Sequence, residues 1–123
     1  MHILVCVTRQ KTCERLILEG ARMAEEFGAE LSVLHVAKSD SDFLGNPVES
    51  QAIEYLYQIS AAHGADMTLM KADNVMEALV SYARRKKADM IVLGSSRKGD
   101  RNFAQELGTL LPETVIHVAH APE

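Results

Sequence analysis

Five short apolar runs recur along this chain, and between them the apolar residues change to helical spacing. Ile3–Val7 is the first run, continuous enough for a strand buried on both faces. Thr12 follows as a candidate N-cap, and then Cys13, Leu16, Ile17, Gly20, Ala21, Ala24 and Phe27 recur at helical spacing, with Gly28 placed to close the helix. Leu31–Val36 reads as the second strand, and the polar stretch 37–46 as a loop. Asn46-Pro47-Val48-Glu49 sets a cap, an N-terminal proline and a capping-box acid in order, ahead of a helix presenting Ala52, Ile53, Leu56, Ile59 and Ser60. His63-Gly64 ends that helix, and Met67–Met70 is the third strand. Asn74 and Glu77 repeat the capping pattern for a helix whose inner face is Met76, Leu79, Val80 and Ala83, with the basic Arg84–Lys87 at its C-terminal end. Met90–Leu93, a shorter helix over Arg101–Leu111 stopped by Pro112, and Thr114–Val118 complete the series. Strands alternating with helices make parallel βαβ units with right-handed crossovers, which is an α/β fold.

A weak internal repeat agrees. EFGAELSVL, AHGADMTLM and KKADMIVLG each join a helix end to a strand through Ala and an acid. With 123 residues, no linker and no low-complexity tract, residues 1–123 read as one domain with a core of its own.

Composition removes several function classes. A net charge of −4 argues against a general polyanion binder, and 5% aromatic residues without Trp leave little to stack on nucleic-acid bases. The cysteines Cys6 and Cys13 form no CxxC pair, and the histidines no zinc spacing, so the usage fits a reducing cytosol and a cytoplasmic protein. The opening MHILVCVT is one strand long and lacks the parts of a signal peptide, and no window approaches a membrane span. Cys13 near a helix N-terminus admits a reactive thiolate, but a small apolar residue facing the sheet is the simpler reading. Met67, Met70, Met76 and Met90 sit where a core needs filling.

The segment ADMIVLGSSRKG, residues 88–99, resembles the fourth-strand signature of universal stress proteins. ELSVLHV (30–36) and DNVMEALVSYA (73–83) resemble their second strand and third helix. ILVCVTRQKTCERLILEGARMAEEFGAE is similar to the stress-protein-like domain of potassium-sensing histidine kinases. The resemblance implies a Rossmann-like open sheet of five parallel strands in order 3-2-1-4-5, with helices on both faces. It also implies a homodimer, through strand 114–118, the edge strand of that order.

Members that bind ATP carry an Asp after strand one and a glycine series around the phosphates. Here Thr8 stands near the Asp position, Gly94 matches the first glycine, Arg97 replaces the second, and Gly99 is displaced. Gly108-Thr109 could imitate the final pair, but lies within the fourth helix. The cradle is incomplete, so ATP bound in that mode is not expected. The kinase-linked branch implies cyclic di-AMP as another ligand, read by hydroxyls after strand one and an FTAxY-like second strand. At matching spacing stand Thr8, Gln10 and Leu31-Ser32-Val33-Leu34-His35, with hydroxyls at Thr8 and Ser32. ATP, AMP and cyclic di-AMP are therefore the candidate ligands, and no cofactor is required.

The loops after strands one and four should meet where neighbouring crossovers diverge, the switch point at which open α/β sheets bind ligands. Candidate ligand-binding residues are Thr8, Arg9, Gln10 and Lys11 from the first loop, with Ser32 and Val36 from the second strand. The loop after strand four offers Gly94, Ser95, Ser96, Arg97, Lys98, Gly99 and Arg101. Their hydroxyls and charges suit an anionic small ligand. The alternative is a solvated basic turn. TRQKTCER matches neither an HxGH nor an SGGxDS loop, and no Walker loop, GxSxG or Ser-His-Asp constellation is legible. A non-catalytic regulatory module with a signalling partner is the leading expectation. A ligand-free dimeric adaptor comes second, and a weak nucleotide-hydrolysing enzyme third.

Overall fold

The computed structural model describes residues 1–7, 10–39, 49–95 and 100–120, and side chains at 10–13, 49, 50, 52, 95, 100–102 and 120 lie outside that description. The chain alternates β1 (His2–Val7), α1 (Gln10–Phe27), β2 (Glu30–Lys38), α2 (Glu49–Ala62), β3 (Asp66–Ala72), α3 (Val75–Lys86), β4 (Met90–Ser95), α4 (Asp100–Leu110) and β5 (Val115–His120). The five strands form one sheet in the order β3-β2-β1-β4-β5, and every pairing is parallel.

Alternation along β1 explains why both faces need helices. Ile3, Val5 and Val7 pack with Leu16, Ile17, Met23 and Ala24 of α1 and Leu56 of α2. Leu4 and Cys6 point the other way, onto Leu79, Val80, Tyr82 and Ala83 of α3 and Leu107 of α4. A side-chain period of two on a central strand thus feeds two cores, and burial pushes the Cys6 thiol far above its usual range. Gly20 brings α1 against the sheet, because a Cβ there would lie 2.3 Å from Cγ2 of Val5.

The expected punctuation holds at most ends. Gly28 takes φ +64° after α1, and Gly64 takes φ +72° after α2. The Asn74 carboxamide oxygen accepts from the Glu77 N–H at 3.0 Å, so the cap of α3 forms as its sequence indicates. Lys87 closes α3 in the left-handed conformation, with its N–H given to Arg84 at 3.1 Å.

Several boundaries differ from the sequence reading. α1 begins at Gln10, so Thr12 lies inside the first turn and is not the N-cap, and Cys13 is not the first helical residue. Gln10 and Lys11 have unbranched side chains that suit a helix, and the pattern of apolar residues alone cannot show a polar first turn. β2 and β3 run longer than their apolar cores because they pair from Ser32↔Asp66 through Lys38↔Ala72. β4 continues through Gly94 and Ser95, which pair with Ala119 and His120. α4 starts at Asp100, one residue earlier than expected. The cap at Asn46-Pro47-Val48 and most of the loop 37–46 lie outside the described residues.

Candidate functional site

Parallel strands direct all their carboxyl ends to one edge of the sheet, and β1 is where the winding reverses. From β1 the chain builds outward through β2 and β3, then crosses to β4 and β5 on the other side. α1 and α4 therefore open from neighbouring strands on opposite faces, and the carboxyl edge between β1 and β4 is the switch point at which open α/β sheets of this kind bind ligands. The first turn of α1 carries no acidic residue, so that turn itself supplies no negative charge to the positive end of the helix dipole.

Two interactions shape the floor. Gly94 lies under α1, and a Cβ at that position would sit 3.2 Å from Cδ1 of Leu16. Its first duty is therefore close helix–sheet packing within β4, where the sequence reading put it in the loop after strand four. His35 is 3% exposed, and its Nδ1–H donates to the carbonyl of Val7, the last residue of β1, at 2.7 Å. Burial holds the His35 imidazole below its ordinary pKa, with the Val7 bond acting in the opposite sense. The side chain thus stays neutral and ties the last residue of β1 to β2.

Apart from Ser32, the predicted site residues divide into three groups. Gly94 and Val36 lie in the carboxyl halves of their strands, Val36 packed on the α3/α4 face. Gln10 and Lys11 open α1, Arg101 lies in the first turn of α4, and Ser95 ends β4. Thr8, Arg9, Ser96, Arg97, Lys98 and Gly99 fall outside the described residues. Ser32 is set apart from all of these. It pairs with Leu4 and Asp66 in the amino half of the sheet, not at the switch point.

At that amino end Ser32 belongs to a closed polar chain. It is 1% exposed, its hydroxyl donates to Oδ1 of Asp66 at 2.8 Å, and Nε2 of His2 stands 2.7 Å from its oxygen. Since the hydroxyl proton goes to Asp66, His2 supplies the second bond as an Nε2–H donor. Lys86 Nζ lies 3.7 Å from the other Asp66 oxygen, and Glu30 3.6 Å from Nδ1 of His2. The three residues His2, Ser32 and Asp66 come from three strands, which is why no sequence spacing showed them. A buried hydroxyl held between two partners is the opposite of an exposed nucleophile. A recess of about 880 Å³ adjoins this chain, but its charged groups are mostly paired already, Arg22 with Glu19 at 2.7 Å and Lys86 with Asp66.

Among the described residues two buried polar atoms have no hydrogen-bond partner: the Ser60 hydroxyl near the end of α2, and Nη2 of Arg15, half-buried on α1 towards the other end. Sequence reasoning missed Arg15. The available signal was a basic residue directly beside the apolar stripe of Leu16 and Ile17. Among the described residues, no group of three or more His, Cys, Asp or Glu side chains could hold a metal ion, and no helix is long and apolar enough to cross a membrane.

The family model described as the universal stress protein family matches residues 1–122. A sensor protein KdpD of Mycobacterium tuberculosis is 31% identical over 97 residues, covering 79% of this chain and 11% of the relative. A putative sensor protein KdpD of Synechocystis is 28% identical over 123 residues, covering 95% of this chain and 33% of the relative. The chain thus spans only about a tenth to a third of the length of these curated relatives. Among solved structures, a universal stress protein in complex with cAMP superposes with TM-score 0.67 at 16% identity, covering 99% of this chain and 97% of that one. One from Archaeoglobus fulgidus in complex with dAMP gives 0.66 at 17%, over 98% and 96% of the two chains. One from Arabidopsis thaliana with AMP bound gives 0.64 at 14%, over 99% and 92%. These likenesses agree with the Rossmann-like order of the sheet.

Proposed function

Since this chain belongs to the universal stress protein family, we propose that it is a regulatory module binding a nucleotide-like anionic ligand at the carboxyl edge of its sheet, without turning it over. The observation that carries this reading is the switch point between β1 and β4, which the acid-free opening of α1 faces. Structural neighbours described with cAMP, dAMP and AMP support it. The ligand is expected to be a nucleotide such as AMP or cyclic di-AMP. ATP laid along a glycine cradle is disfavoured, because Arg97 stands where backbone would have to approach phosphate. The similarity to sensor proteins supports a signalling partner that reads the occupied state. The test is native mass spectrometry of freshly purified protein, followed by calorimetry with AMP and cyclic di-AMP. A co-purifying nucleotide, or micromolar affinity, agrees with the reading. No binding of any nucleotide at about millimolar concentration sinks it.

A second reading rests on the opposite edge of the β1–β4 half. β5 pairs only with β4 and exposes Val115 by 56%. An apolar strand edge left open favours pairing with a second copy, which would make the protein a dimeric adaptor. Light scattering at roughly tens of micromolar that shows only monomer removes this reading.

A further inference from the structure

We infer that Arg15 binds the anionic group of the ligand, a phosphate, above the Gly94–Ala119 step of β4 and β5. The inference rests on the binding-module reading and assigns the charged part of the ligand a place within it.

A guanidinium nitrogen withdrawn from water without an acceptor is costly, so such a group marks a missing partner. The nearby carboxylates of α1 do not supply it. Glu14 accepts from the Tyr55 hydroxyl at 2.7 Å, and Glu19 from Arg22 at 2.7 Å. Glu19 also lies 3.6 Å from Nε2 of His117 on β5, and the Arg22 bond is the main cause holding its carboxyl below the usual range.

That last contact locates Arg15. Residues 15 and 19 share one face of α1, a single turn apart. Moving one turn towards the start of α1 covers about 6 Å. The same distance along β5 is about two residues, from His117 to Ala119, since the helix runs against the strands. Leu16, beside Arg15, rests on Gly94, the register partner of Ala119. Gly94 and Ala119 are both only half-buried, and between them they carry a single methyl group. The floor below Arg15 is therefore low. A phosphate seated there meets the guanidinium and the positive end of the α1 dipole together.

The experiment compares the full chain with Arg15→Gln, Arg15→Met and, as a control, Arg22→Gln, titrated with AMP, adenosine and inorganic phosphate. Arg15→Gln is expected to weaken AMP about tenfold or more and to leave adenosine unchanged. Arg22→Gln is expected to bind AMP as the parent does. Ligand-free Arg15→Met should melt no lower than the parent, because it removes a buried charge without a partner. Inorganic phosphate should raise the melting temperature of the parent and not of Arg15→Gln. If phosphate protects the parent through Arg15 and no nucleotide binds, the anion site stands and the nucleotide reading falls. If AMP binds the parent and Arg15→Gln equally, the reading stands and the Arg15 assignment is overturned. A ligand-free Arg15→Met that melts well below the parent also overturns it, since Arg15 would then be bonded within the chain.

Discussion

The two ends of the sheet treat their polar groups differently. At the amino end, Glu30 N–H bonds Met1, Asp89 N–H bonds His2, and Val115 N–H bonds Asp89, which ties β1 to β2, β4 to β1 and β5 to β4. The Asp89 carboxylate also accepts from the His2 N–H at 2.8 Å, and His2, Ser32 and Asp66 bond one another, while the buried Ser60 hydroxyl near the end of α2 has no partner among the described residues. At the carboxyl end, Gly94 and Ala119 add only one methyl group to the floor, and Arg15 carries a shielded nitrogen without a partner among the described residues. Buried polar groups that are all bonded raise the stability of a fold, and those left unbonded lower it. The amino end thus holds the strands together, and the carboxyl end is where the proposed ligand would be received.

The sharpest way to break this contrast is Ser32→Ala. It leaves Asp66 and His2 without their shared hydroxyl, so unfolding should become easier by about 1–3 kcal/mol. Urea denaturation measures that loss, and nucleotide affinity should be unchanged. A variant as stable as its parent, or one that loses affinity, would contradict the division between the ends. Gly94→Ala probes the opposite edge. Its new methyl meets Leu16 at 3.2 Å, so α1 must shift slightly, at a cost of about 1 kcal/mol. If the floor also receives a ligand, affinity should fall in the same variant; an unchanged affinity would leave Gly94 a packing residue only.

The smallest effect is one of pH. His35 has its folded pKa lowered by burial, so the unfolded chain takes up a proton first as pH falls below its ordinary value of 6.5. Stability contributed by neutral His35 is complete above that value and declines as pH drops towards the folded pKa. The urea midpoint should therefore fall less between about pH 7.5 and about pH 5.5 in His35→Asn than in the parent. Equal slopes in both proteins would assign the acid sensitivity elsewhere.

How much of this was legible in the sequence follows from the range of each interaction. The alternation of apolar runs with helical periods is local, so five strands and four helices could be read directly, as could the Asn74 cap and the Gly28 terminus. The strand order came with the family resemblance, and the sheet agrees with it. Polar first turns were harder, because Gln10 and Lys11 carry no apolar signal. Ser32 enters the candidate set through its match to the family's second-strand pattern, and only the fold shows that Asp66, 34 residues away, holds its hydroxyl. Arg15 escaped for the same reason in reverse. Only the packed fold shows that the carboxylates near it are already engaged.

The position of β1 carries a consequence for the order of assembly. The first strand of the chain is the middle strand of the sheet, and residues 1–72 contain every partner on one side of it. That contiguous half has the shorter loops to close. Pairing of Ile3 with Met90 spans 87 of the 123 residues and must overcome the larger entropy of closure. β4 and β5 are therefore expected to dock late, onto a β1 already paired with β2. The switch point between β1 and β4 exists only after that step, as does the Gly94–Ala119 floor. A ligand held there would bind the finished chain and not its earlier half, and so would favour completion of the last folding event.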